Sequence, residues 1–163
     1  VSMPEVIPYD PLLTFKFRLF FADGGDQPIA GISKMGALKQ KTEATAWRAA
    51  GHLKNSASQI SGGTSYEPVT FEQGLGLDDG RFEKWALACS TWKEGAGGRQ
   101  SPGFRRDLRV EVLDLQGKAQ LKFVMNGAWV SEYQALPELD ANNMNTVGIA
   151  SFTVVYEGWY RQT

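Results

Sequence analysis

The sequence predicts a mainly β protein, with its strands closed into a barrel or packed in two layers, one helix at about residues 79–93, and an extended arm or hairpin at about residues 36–66. Three observations carry that prediction. Several stretches alternate apolar and polar side chains with the period of two that a half-buried strand requires. One stretch switches to spacings of three and four, the signature of an apolar helical face. Eighteen glycines, seven prolines and 12% aromatic residues suit strands separated by turns and fall short of a fibrous or disordered composition.

The first strand is "LLTFKFRLFF" (Leu12–Phe21): Leu13, Phe15, Phe17, Leu19 and Phe21 share one face, and Thr14, Lys16 and Arg18 the other. The turn residues of "ADGGDQP" end it. "IAGISKMGAL" (Ile29–Leu38) reads as a second strand weakened by Gly31 and Gly36. "YEPVTFEQGL" (Tyr66–Leu75) reads as a third, with Pro68 near its start, where a missing N–H is tolerated. In "DDGRFEKWALACSTWKEG", Phe82, Trp85, Ala86, Cys89 and Trp92 form one apolar stripe. Asp78 or Asp79 caps its start and Gly95 follows its end, which gives a helix over Asp79–Lys93. "EGAGGRQSPG" follows as a flexible loop.

Alternation returns in "RRDLRVEVLD", with Leu108, Val110 and Val112 facing in and Asp107, Arg109 and Glu111 facing out. "LQGK" then turns the chain into "AQLKFVMNGAWV", with Leu121, Phe123 and Met125 inward, and the pair reads as a β-hairpin. "NGAWVSEYQALPELDANN" (Asn126–Asn143) reads as the link that joins two strands. The last strand, Val147–Tyr160, is apolar on much of both faces, as in the interior of a closed barrel or a two-layer packing.

The segment Gly36–Tyr66 differs from its surroundings. Lys39, Lys41, Arg48 and Lys54 against Glu43 give it +3, which leaves −4 for the rest of a chain whose net charge is −1. Few of its side chains are large enough for a core, and a compact domain rarely keeps about 30 such residues without a use. Two readings stand: a mobile surface loop, or an extended arm that becomes ordered against an acidic surface on another copy. Trp47 among the cations also permits nucleic-acid stacking, but four cations over this length are sparse and the remaining chain is acidic.

Length and a 42% hydrophobic content suit one globular domain over residues 1–163. The near-neutral charge argues against a chain that neutralises nucleic acid or an anionic membrane. With a single cysteine, no internal disulfide forms, and the N-terminus lacks the basic start and apolar run of a signal peptide. No window approaches the ~20 apolar residues of a bilayer span. A soluble chain made in a cytoplasm, without membrane anchoring, is expected.

Marks of chemistry are sparse. His52 is the single histidine and lies in the polar arm, which suits solvent or an interface better than a general base. Cys89 lies on the apolar helical stripe and reads as a structural thiol; without a second cysteine a zinc site is not expected. "GLGLDDGRF" is not a G-x-G-x-x-G loop and lacks the Lys-Ser/Thr pair of a P-loop. "LDDG" and "LPELDANN" lack calcium-loop spacing. No catalytic residue, metal site or cofactor is expected.

The order strand, strand, charged arm, strand, helix, hairpin and final strand resembles the inner tail-tube proteins of contractile-tailed bacteriophages and contractile injection systems, over about Leu12–Arg161. "YEPVTFEQGLGLDDGRFEKW" is similar to that family's strand, glycine and short helix with a Trp. "RRDLRVEVLDLQGKAQLKFVMNGAWVSEY" is similar to its Arg-led strand, turn, and strand ending in Asn-x-x-Trp. "LPELDANNMNTVGIASFTVVYEGW" is similar to its link into a last strand closing on Tyr-Glu-Gly.

The resemblance implies a small antiparallel β-barrel or sandwich flanked by one helix, related to the Hcp tube of type VI secretion. It implies homo-hexameric rings stacked into a hollow tube that conducts DNA or effectors without sequence-specific binding. The implied partners are a contractile sheath, a baseplate, a tail terminator and a tape measure protein. Assembly in the host cytoplasm into a virion tail tube, with no enzymatic activity, is implied too. An Hcp-type secretion tube and a monomeric β-barrel ligand-binding module are the alternatives. On the tube reading, Lys39, Lys41, Trp47, Arg48, His52 and Lys54 reach a neighbouring subunit or ring near acids such as Asp78, Asp79 or Glu138.

Overall fold

A computed structural model describes residues 12–51, 56–77, 80–90 and 105–162. Along the chain come β1 (Phe17–Phe21), β2 (Ile32–Met35), β3 (Gln40–Trp47), β4 (Ser58–Tyr66), β5 (Val69–Gly74), α1 (Arg81–Ser90), β6 (Arg106–Leu113), β7 (Ala119–Gln134), β8 (Ile149–Val155) and β9 (Gly158–Gln162). All ladders are antiparallel. Seven strands run in the order β1-β6-β7-β8-β5-β2, with β9 added alongside β7, while β3 and β4 form a separate ribbon.

The 16-residue β7 is the seam of the sandwich. Its first half pairs with β6 and β9, and Trp129–Gln134 pairs with β8, so one strand serves both layers. The change of layer falls at Gly127, whose φ of 61° is left-handed. A Cβ there would stand 2.9 Å from the Glu157 side chain, so the position excludes a larger residue twice over. The local ladder is bulged, and the Gly127 N–H donates to Asp107 Oδ1 at 3.0 Å instead of to a strand.

Apolar alternation puts Leu19 and Phe21 of β1, Leu108 and Val110 of β6, Val69 and Phe71 of β5, and Phe152 and Val154 of β8 into one core. Helix α1 covers it with Phe82, Trp85, Ala86 and Cys89, all on its expected apolar stripe. Phe82 is fully buried, with its ring 4.2 Å from that of Phe152 and about 6 Å from those of Phe21 and Phe71. Burial of such a ring contributes about 1.5–3 kcal/mol. The buried Gln73 side chain donates to the Ala30 carbonyl at 2.7 Å.

The mainly β architecture with one short helix is as expected, and its sheets form a sandwich-like pair of layers. Several boundaries differ. The strand expected over Leu12–Phe21 begins at Phe17, because β6 ends at Leu113, whose N–H donates to the Lys16 carbonyl at 3.0 Å, and residues before Lys16 have no β6 partner. Leu13 and Phe15 are accordingly 53% and 62% exposed. The Ile29–Leu38 strand narrows to Ile32–Met35, between Gly31 at φ 78° and Gly36. Tyr66 closes β4 instead of opening β5.

The helix is described over Arg81–Ser90; its expected cap at Asp78 or Asp79, its end beyond Ser90 and the flexible loop after it lie outside the described residues. Glu111 faces away from the core as expected, but it is only 8% exposed. Arg109 Nε at 3.4 Å and Lys122 Nζ at 3.8 Å cover it.

Asn126–Asn143 was expected to be a link; Asn126–Gln134 is instead the second half of β7, and only the remainder connects to β8. The single last strand over Val147–Tyr160 is two. At Tyr156–Glu157 the chain leaves β8, the Glu157 N–H donates to the Asn126 carbonyl at 2.9 Å, and β9 continues in the same direction along the first half of β7.

Candidate assembly surfaces

The charged arm is a β-ribbon. β3 and β4 pair from Gln40–Tyr66 out to Trp47–Ser58, with a bulge after Thr42 and a Thr42–Thr64 hydroxyl contact at 3.0 Å. The ribbon continues the β2–β5 ladder: the Gly36 N–H donates to the Thr70 carbonyl at 2.8 Å before the strands separate at Pro68. Among the described residues no layer lies behind it. Every residue of β3 is exposed, as is β4 except at its ends. A two-stranded ribbon is marginal by itself in water.

Its root is held by aromatic packing. The Tyr66 and Tyr156 rings stand 6.0 Å apart, Tyr66 lies against Gly158, and Trp159 Nε1 donates to the Lys39 carbonyl at 3.3 Å. Burial pushes the Tyr156 phenol above its ordinary range, and no described group bonds its hydroxyl. Beneath the root the two layers open into an apolar groove, lined by Met35, Leu38, Val112, Phe123 and Trp159.

Register fixes which end of the body is which. Val69 pairs with Val154 at the ribbon end of β5, and Gly74 pairs with Ile149 at the other. Leu75, Gly148 and the connection from Ala135 therefore gather at the end opposite the ribbon, where the Leu75 N–H donates to the Gly148 carbonyl at 3.0 Å. This far end is apolar and open. Leu136, Leu139, Met144 and Val147 are all exposed, and Pro137, Leu139, Val147 and Gly148 line a hollow of about 400 Å³.

Charge separates the same two ends. Across β3, β4 and the adjoining residues 39–51, Lys39, Lys41 and Arg48 stand against Glu43, a net +2. Residues 135–148 hold Glu138 and Asp140 and no cation, a net −2. Lys39 also meets Glu67 at 3.6 Å at the ribbon root.

Of the residues expected at interfaces, Lys39, Lys41, Trp47 and Arg48 share the ribbon, and Glu138 lies at the far end, out of their reach within one copy. His52, Lys54, Asp78 and Asp79 lie outside the described residues. Sequence reasoning passed over Ile60 and the far-end leucines. Their available signal was four large apolar residues in a link with neither helical nor strand periodicity.

Titratable groups elsewhere have structural partners. Cys89 is buried, which pushes its thiol up, and its Sγ accepts from the Val130 N–H at 3.4 Å. Arg106 holds the Asp23 carboxyl below its usual range through a 2.8 Å hydrogen bond. Among the described residues no group of three His, Cys, Asp or Glu could hold a metal ion, and no helix is long and apolar enough to cross a membrane.

The sandwich with a projecting ribbon is the fold of contractile-system tube proteins. A chain of the anti-feeding prophage cap superposes with a TM-score of 0.75 at 14% identity, over 98% of this chain and 96% of that one. A chain of an extracellular contractile injection system, in the PVC sheath–tube complex in its extended state, gives 0.73 at 14% identity over 96% and 93%. A type six secretion system protein gives 0.56 at 12% identity over 90% and 82%. No curated protein sequence matches the chain.

The family itself is shown by sequence. Residues 13–160 match the T4-like virus tail tube protein gp19 model, and the chain belongs to that family. It is a structural tube subunit, and its place is in a tail tube.

Proposed function

We propose that the chain, acting as one tail-tube domain over residues 1–163, joins into hexameric rings that stack head to tail into a hollow tube. A contractile sheath surrounds the tube; a baseplate, terminator and tape measure protein bound it; DNA or effectors pass through without sequence-specific contact. Assembly takes place in the host cytoplasm, and the subunit works mechanically, without catalysis. The observation that carries this reading is the opposition of ends: an exposed basic ribbon at one, an exposed acidic and apolar face at the other. Surfaces that match each other but lie on opposite ends of one molecule cannot pair within it and add copies in one direction. Lys39, Lys41, Arg48 and Lys54 of one copy then approach Glu138, and Asp78 and Asp79, on the next. Negative-stain electron microscopy at rising protein concentration tests the reading. Rings and hollow tubes of uniform width are expected; small particles at every concentration, even with a baseplate supplied, overturn it.

A further inference from the structure

The two faces of the ribbon differ. Along β3, Lys41, Glu43, Thr45 and Trp47 alternate with Gln40, Thr42, Ala44 and Ala46. Register sets Ile60 opposite Thr45 and Ser58 opposite Trp47, so Trp47 and Ile60 are diagonal neighbours on the first face. The second face gains Gln59, Ser61 and Thr64, with Tyr66 at its root, and beyond that root it carries no charge and no large apolar side chain. One face of the ribbon tip is thus adhesive and the other is not.

Trp47 is 53% exposed and sits at the outer end of an eight-residue strand, roughly 25 Å from the ribbon root. Among the described residues nothing covers the exposed half of its indole. The hollow at the far end has the complementary features: Pro137, Leu139 and Val147 supply apolar lining, Glu138, Asp140, Asn143 and Thr146 line it with polar groups, and it has space for an indole. Leu139, 72% exposed, is likewise uncovered. The basic residue nearest the indole is its neighbour in sequence, Arg48, which is opposite to those acids in sign; on the indole's own face Glu43 and then Lys41 lie further toward the ribbon root.

We infer that Trp47 of one copy seats in the hollow formed by residues 137–148 of the next copy, with Ile60 packed beside it and Arg48 facing Glu138 and Asp140. The inference rests on the stacked-tube reading and names its anchor. A Trp inserted in an apolar pocket and ringed by charges is the arrangement of an interface hot spot. The paired charges set the register, and burial of the indole holds the contact.

The experiment uses the full chain. Trp47→Ala changes an exposed side chain, so the monomer stays folded, and the threshold concentration for stacking rises at least about thirty-fold, or about 2 kcal/mol at 1.4 kcal/mol per tenfold. In a second arm, Trp47→Cys and Leu139→Cys are combined in one chain and oxidised with diamide. Covalent ladders of several copies are expected from assembled protein, and neither single variant gives them. Wild-type tubes that Trp47→Ala leaves at the same threshold, or tubes of the double variant that yield no ladder, overturn the inference and leave the tube reading standing. Wild-type protein that never assembles overturns both.

Discussion

Reversal of the ribbon charges separates the electrostatic part of stacking from the apolar part. The variant carries Lys41→Glu, Arg48→Glu and Lys54→Glu. Lys39 is left in place, because its 3.6 Å contact with Glu67 belongs to the ribbon root and its loss would confound the result. An exposed ion pair contributes about 0.2–1 kcal/mol, and reversal replaces attraction with repulsion of similar size. On the stacked-tube reading, three positions opposite an acidic end therefore cost roughly 1–6 kcal/mol per contact in dilute buffer, or at least about a fivefold rise in the assembly threshold. Salt supplies the internal control. The screening length falls from about 10 Å at 0.1 M to about 3 Å at 1 M, so the gap between variant and wild type narrows as salt is added. Sedimentation of tubes at several protein concentrations, in low salt and in 1 M salt, reads both quantities. An unchanged threshold with unchanged salt dependence refutes the electrostatic part of the reasoning.

Other outcomes follow from the body of the fold. Phe82→Ala empties the ring site shared with Phe21, Phe71, Trp85 and Phe152 and is expected to cost about 3–5 kcal/mol in urea unfolding; a loss below about 1 kcal/mol would show that the helix does not close the core. Gly127→Val forces a branched residue into left-handed backbone beside Glu157 and is expected to lower the thermal midpoint, whereas Gly63→Ala, with open space around it, is not; equal shifts would contradict the layer switch at Gly127. The Arg106 hydrogen bond depresses Asp23 below 3.8, so its contribution is present above that pH and is lost as pH falls through the folded value. Asp23→Asn should therefore flatten the acid limb of a stability–pH curve below about pH 4, and an unaltered limb would mean that the pair is inert. The buried Cys89, its thiol pushed up, should react with an aromatic disulfide reagent only on unfolding; prompt labelling of the native chain would contradict its packing against β7.

The parts of this fold that were legible in the sequence are those that depend on one segment's own periodicity. The α1 stripe of Phe82, Trp85, Ala86 and Cys89 is one such part, and the inward set of Leu108 and Val110 is another. Boundaries were not legible where a partner strand decides them. Leu13 and Phe15 continue the alternation of β1 perfectly well, yet β6 does not reach them. A similar cause hid the seam. Trp129–Gln134 looked like a link because its polar residues are set by pairing with β8 across a layer change, which local pattern does not encode.

The assembly surfaces divide in the same way. Charge sums over a segment regardless of pairing, so the basic ribbon stood out before its hairpin was known. The receiving end did not, because Leu136, Leu139, Met144 and Val147 lie in irregular chain and acquire meaning only when register puts them opposite the ribbon. Exposed leucines in a connection are unremarkable one at a time. Gathered at one end of a sandwich, with Leu139 and Val147 lining an open hollow, they are surface that water penalises and that another copy covers on the stacked-tube reading. A subunit in a stack has no reason to solubilise both of its ends, since each is hidden by a neighbour. On that reading the apolar end, the exposed ribbon and the opposite charge signs are one property seen at three places: the chain leaves unfinished at each end what the adjoining copy supplies.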